Sequence, residues 1–244
     1  MTQMSTRRMA TGSYGTGRAT RWLVTIVVIV VVLVGLDFGA RSVAEREMAS
    51  KIQQQGLPSK PSVTIDGFPF LAQVANKDFS HVTISAADVP AGQVTITTIN
   101  AAATGVRLNS YAFSSGTIGN LSGTALISFG SLASTLTTQF GPLGSFLHGT
   151  GLNLTDAGPN EVRATLNLVV TSGSAVWRVT RVGGNTLNVH LVSSNGLPPA
   201  LLGSIQDLNL QIPKLPLGLT IDSVSVTPSG VVGLVSGHDV PFGS

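Results

Sequence analysis

The sequence predicts an α+β protein: an N-terminal membrane helix, then an amphipathic helix packed on an antiparallel β-sheet. Three observations carry this. Trp22 to Leu36 is a run of fifteen uncharged positions behind a basic leader, and residues 40–55 repeat apolar side chains at helical spacing. Almost everything after that alternates in the manner of strands, between turns rich in Gly, Pro and Asn.

The leader and the apolar run form a membrane address. Arg7, Arg8, Arg18 and Arg21 precede the run with no acid among them, whereas Asp37, Glu45 and Glu47 balance Arg41, Arg46 and Lys51 after it. The positive-inside rule therefore puts the N-terminus in the cytoplasm and the rest of the chain outside. Fifteen helical residues reach only ~22 Å against a ~30 Å hydrocarbon core. Extending the span through Phe38, Gly39 and Ala40 nearly closes the gap, with Asp37 snorkelling to the outer interface. A retained anchor is the first reading; a cleaved signal, with Ser42-Val43-Ala44 as a small-residue cleavage site, is the second. The expected organisation is a basic cytoplasmic leader at 1–21, an anchor or uncleaved signal at 22–40, and a single extracytoplasmic domain at 41–244.

Beyond the anchor, Ala40, Ala44, Met48 and Ile52 recur at i+4 with Val43 beside them, and Glu47 to Lys51 has the favourable ion-pair order. Gly56 and Pro58 end this amphipathic helix. Then come the strands: Val82, Ile84 and Ala86; Val94 and Ile96; Ala164, Leu166, Leu168 and Val170; Leu187, Val189 and Leu191. Each alternates as a strand buried on one face does. Pro90-Ala91-Gly92, Asp156 to Pro159, Gly183-Gly184-Asn185 and Thr227 to Gly230 supply turns, the last inside a closing hairpin from Leu219 to Val235.

Composition narrows the function. Charged residues make up only 10% of the chain and hydrophobic ones 43%. The pI near 9.7 belongs to the leader, because from Asp37 onward ten basic residues face all eleven acidic ones. No Lys/Arg stripe interleaved with aromatics follows a phosphate backbone, so nucleic acid is not an expected partner. With no cysteine there is no disulfide, thiolate metal site or Cys nucleophile. No metal or other cofactor is expected.

Chemistry was sought residue by residue. No serine has Gly at both −2 and +2, so the nucleophile elbow of the α/β-hydrolases is missing. Of the four histidines, His81, His148, His190 and His238, the first and third sit in strand patterns with no carboxylate at metal-pair spacing, and His148 lies among glycines. Ser236-Gly237-His238-Asp239 crowds hydroxyl, imidazole and carboxylate together, but strand neighbours point to opposite faces and a loop is the plainer reading. Arg178 and Arg181, beside Trp177 and Val179, either meet a lipid phosphate or lie on a solvated strand face.

Two stretches carry the binding expectation. Leu108 to Asn160 contains only Asp156 as a formal charge; within it Phe129, Leu132, Leu136 and Phe140 suggest a short helix ending at Gly141-Pro142, either ordinary core or a lip that contacts acyl chains. Asp66 to Leu71 reads DGFPFL, in which Gly67 permits a bend and Pro69 holds Phe68 extended. Phe68, Phe70 and Leu71 are then an aromatic plug in the core, part of a lipid-cavity wall, or both.

DGFPFL after Val63-Thr64-Ile65, HVTISAADV at His81–Val89 and KLPLGLTIDSVSVTPSGVVGLVSGHDV at Lys214–Val240, following the basic leader, anchor and Arg/Ala/Glu-rich helix, resemble the LmeA-like phospholipid-binding family of actinobacteria. The resemblance covers roughly residues 37–240 and rests on the ordered combination. It implies a phospholipid partner at the membrane in the cell envelope, and a tubular lipid-binding fold with a long helix in a strongly curved antiparallel sheet. In the family's namesake it also implies phospholipase A activity and a role in lipomannan-type glycolipid biosynthesis, with no catalytic motif to match in this chain. The expected function is binding of phospholipid in an apolar cavity on the outer side of the plasma membrane. Phospholipase A action and a ligand-free structural envelope protein are the alternatives.

Overall fold

The structure is a computed structural model that describes residues 17–54, 57–91, 94–111, 115–139, 151–167, 172–183, 186–197, 207–211 and 219–242. The described residues form an N-terminal apolar helix and antiparallel sheets, and among them there is no closed barrel. The expected anchor and the helix after it are one helix, α1 (Gly17–Gln53). Nothing between Leu36 and Arg41 breaks it: there is no proline, and Gly35 and Gly39 weaken a helix without ending it. By length and composition the helix is long and apolar enough to cross a membrane.

The lower half of α1 meets β1 (Ser62–Asp66) and a seven-residue helix, α2 (Phe70–Asn76). Then follow β2 (Asp78–Ala91), β3 (Val94–Leu108), β4 (Gly116–Ser128) and α3 (Phe129–Gln139). A meander comes next: β5 (Gly151–Gly158), β6 (Glu161–Asn167), β7 (Ser172–Gly183), β8 (Thr186–Asn195) and β9 (Asp207–Gln211). The closing hairpin is β10 (Thr220–Thr227) and β11 (Gly230–Phe242).

Instead of one sheet there are two, of order β1-β2-β3-β4-β11-β10 and β5-β6-β7-β8-β9. The hairpin read at Leu219–Val235 inserts β11 beside β4, which closes that edge to β5. The meander therefore forms its own sheet, touching the first through β10. The alternations read at Val82–Ala86, Val94–Ile96, Ala164–Leu166 and Leu187–Leu191 all fall in strands; Leu168 and Val170 lie outside the described residues.

The main core lies under α1. Val63, Ile65, Phe70, Phe79, Val82, Ala103, Val106 and Leu108 are buried together with Ala49, and Ala40, Ala44, Met48 and Ile52 pack on them. The i+4 series read from the sequence is thus the face that meets the sheet. Among the described residues, the i,i+4 ion pair on this helix is Arg41–Glu45 at 2.9 Å rather than Glu47–Lys51. Gly105 (φ 63°) faces Gly119, and around this pair the strict alternation lapses, so that Ala103 and Val106, three residues apart, are both buried.

Candidate lipid-binding face

The register of the six-stranded sheet aligns whole rows of side chains across it. One row runs Val63, Ile84, Ala101, Gly123, Val235, Ile221, apolar in all six strands. The neighbouring row runs Ser62, Ser85, Asn100, Thr124, Leu234, Ser223, and Ser85 donates to the Asn100 side-chain carbonyl at 2.8 Å. Because successive side chains point to opposite faces, the sheet has one apolar face and one largely hydroxyl-bearing face. A further apolar row, Ala86, Ile99, Ala125, Gly233 and Val224, follows towards the α3 end.

Burial along the apolar face is uneven. Under α1, Ile65, Phe79, Val82, Ala103 and Val106 are buried; farther along, Ile84, Ala86, Ile99, Ala101, Ala125 and Val235 are only half-buried. The centres of these rows are Ala or Gly, which lowers the surface between Ile84 and Val235. In the further row a Cβ added at Gly233 meets nothing within 4 Å, whereas one at Gly123 would lie 3.3 Å from the Val235 side chain. By contrast the apolar pocket beneath α1, lined by Met48, Ile65, Phe79, Val82, Val106, Leu108 and Phe242, has about 40 Å³ of accessible space. That is room for about one water and far too little for an acyl chain.

The two groups of residues singled out in the sequence stand at opposite ends of this face. Phe70 is buried against Phe79, ring centroids 6.1 Å apart. Its neighbours in the turn are not core: Phe68 is 64% exposed and Leu71 42%. Gly67 at φ 106° starts the turn, and the Phe68–Pro69 peptide is cis. At the other end Phe129, Leu132 and Leu136 are half-buried on α3, which is fastened by Ser131 donating to the Thr95 carbonyl at 2.8 Å. Phe140 lies outside the described residues. From Thr95 to Val106 along β3 the separation is ~36 Å, so these residues do not form one site. The half-buried rows between them were missed because their members, Ala101, Gly123, Ala125 and Gly233, are small and scattered over three strands. Only the register unites them.

Asp37 is the other residue the sequence placed wrongly. It does not snorkel outward but is buried, 5% exposed, and its carboxylate accepts the backbone N–H of Phe70 at 2.8 Å and of Leu71 at 2.7 Å. A buried carboxylate is costly unless paired, and the orphan N–H groups at the start of α2 supply the partners. Two turns on, Glu45 accepts the Ile65 N–H at 2.8 Å, satisfying an edge-strand donor. Arg41 bridges Glu45 and Asp66 at 2.9 and 3.3 Å. The hydrogen bond to Glu45 is the main influence raising the Arg41 guanidinium pKa above its ordinary range; partial burial opposes it.

The polar clusters do not assemble a relay. Ser236 donates to Asp222 at 2.9 Å, while His238 pairs with Asn120 at 2.6 Å. His190 pairs with Asp207 at 2.6 Å on an exposed strand, and His81 lies 3.3 Å from the Thr83 hydroxyl. Arg178 is engaged by Glu161 at 2.6 Å and Arg181 donates to the Asp222 carbonyl at 3.4 Å. His148 lies outside the described residues. Among the described residues no three His, Cys, Asp or Glu side chains are close enough to hold a metal ion.

A family model described as LmeA-like phospholipid-binding matches residues 35–236. Uncharacterised proteins of Mycobacterium tuberculosis (strain H37Rv) and Mycobacterium bovis are each 28% identical over 241 residues, covering 92% of this chain. The chain spans 66% of the length of these relatives. No solved structure matches it.

Proposed function

The chain belongs to the LmeA-like phospholipid-binding family, and from that premise we propose that it holds a phospholipid by its acyl chains along the half-buried apolar face of the six-stranded sheet, on the outer side of the plasma membrane. The observation that carries this reading is the pair of apolar rows with Ala and Gly at their centres, half-buried between the α1 end and the α3 end. About 0.8 kcal/mol accompanies each methylene taken out of water, so a dozen methylenes on such a face outweigh any exposed ion pair at its rim. The tubular arrangement, in which an amphipathic part of α1 lies against a strongly curved sheet, belongs to the same reading, as do the division into leader, anchor and one extracytoplasmic domain and a role in envelope lipid handling. Outward orientation is supported by the four arginines before the apolar run and the balanced charge after it.

Native mass spectrometry of the gently extracted full-length protein tests this. Wild type should carry phospholipid; Ala101→Phe and Ala125→Phe, which fill the face, should carry much less, whereas Thr124→Phe on the opposite face should behave as wild type. Equal lipid in all four would overturn the reading, and absence of lipid from wild type would favour a ligand-free structural protein. Accumulation of lysophospholipid in the same samples would favour hydrolysis instead; no arrangement among the described residues supports it.

A further inference from the structure

The apolar surface of α1 does not stop where its uncharged run stops. Ile26 to Leu33 and Leu36 are between 50% and 64% exposed, and at the next turn the exposed apolar surface continues as Phe38 at 57%, with Phe68 at 64% and Leu71 at 42% brought alongside by the Gly67–Leu71 turn. The Phe38 and Phe68 rings stack, centroids 6.4 Å apart and planes 28° from parallel. At the same level the one charged side chain is turned inward, since the Asp37 carboxylate is taken by the Phe70 and Leu71 amides. The half-exposed Asp66 carboxylate beside the turn is held by Arg41, one helical turn beyond Asp37.

We propose that the Gly67–Leu71 turn is a bilayer wedge: Phe68 and Leu71, with Phe38, occupy the outer interfacial layer of the membrane that α1 crosses and seat the domain on it at a fixed height. This rests on the membrane-anchored reading above. Length argues for it. The fifteen-residue run reaches ~22 Å of a ~30 Å core, and one more turn of ~5.4 Å, collared by these three side chains, makes up most of the shortfall without exposing a charge. Aromatic side chains are favoured at this depth. Rigidity argues for it as well, because Asp37 and Glu45 tie α1 directly to the backbone of α2 and β1. The wedge is thereby held rigidly to the end of the sheet that packs under α1.

The sequence has no cysteine, so single cysteines carry an environment-sensitive fluorophore without background. Phe68→Cys, Leu71→Cys, Val31→Cys and, as an exposed site on the second sheet, Val182→Cys are to be labelled in the full-length protein, reconstituted in phosphatidylcholine/phosphatidylglycerol vesicles and titrated with spin-labelled lipid. Labels at 68 and 71 should be blue-shifted relative to 182 and quenched by lipid spin-labelled near the head group, while 31 responds to deeper spin labels. If 68 and 71 match 182 while 31 is quenched, the wedge is wrong and the anchor stands. If 31 also fails to respond, wedge and anchored reading fall together.

Discussion

The Asp37 carboxylate accepts the Phe70 backbone N–H at 2.8 Å, joining the middle of α1 to a residue thirty-three positions later at the start of α2. With the second bond to Leu71, this residue fixes how the sheet is mounted on its helix.

Replacing Asp37 by alanine leaves two amides at the start of α2 without a partner, so the full-length protein in micelles should lose about 2–4 kcal/mol of stability, and Asp37→Asn about half of that. Hydrogen exchange at the Phe70 and Leu71 amides should accelerate in the same order. Unchanged exchange in the alanine variant would show that the cap does not hold α2.

Phe68 and Phe70 should separate cleanly despite being two residues apart. Phe70 is 2% exposed and packs on Phe79, so Phe70→Ala should cost about 3–5 kcal/mol. Phe68→Ala should stay within about 0.5 kcal/mol in denaturant titrations, as surface positions do. Equal losses would mean that the turn is packed as a plug.

Gly67 sits at φ 106°, and a Cβ there would lie 2.6 Å from Gln73 Nε2 and 2.8 Å from Ser80 Oγ. Gly67→Ala should cost about 1–3 kcal/mol, mostly backbone strain, since the two side chains can swing away at the expense of their bonds to the Asp66 carbonyl. A melting temperature equal to wild type would contradict this.

A reporter fused after Ser244 should be active outside the cytoplasm, and moving Arg18 and Arg21 beyond Leu36 should weaken that signal. Cytoplasmic activity of the unaltered fusion would reverse the proposed topology.

The elements legible in the sequence are those that repeat locally. The i+4 series Ala40, Ala44, Met48 and Ile52 gave the packing face of α1, and Thr227 to Gly230 gave the closing hairpin. What long-range pairing decides was not legible. The insertion of β11 beside β4, and hence the second sheet, depends on pairings such as Gly230 with Ser128. Helix α2 has seven residues, too few for a periodic signal, and takes its cap from Asp37. The apolar rows became visible only once register aligned Ala101 with Gly123, because neither residue is conspicuous by itself.

The central claim is that buried hydrocarbon, rather than head-group charge, holds the lipid. It is tested most directly by binding short-chain phospholipids, below their micelle concentrations, to the full-length protein. Going from dihexanoyl to dioctanoyl chains adds four methylenes, worth about 3 kcal/mol if all are buried, so the dissociation constant should fall by about two orders of magnitude, similarly for phosphatidylcholine and phosphatidylglycerol. An affinity that ignores chain length but collapses in Arg181→Gln would contradict the account.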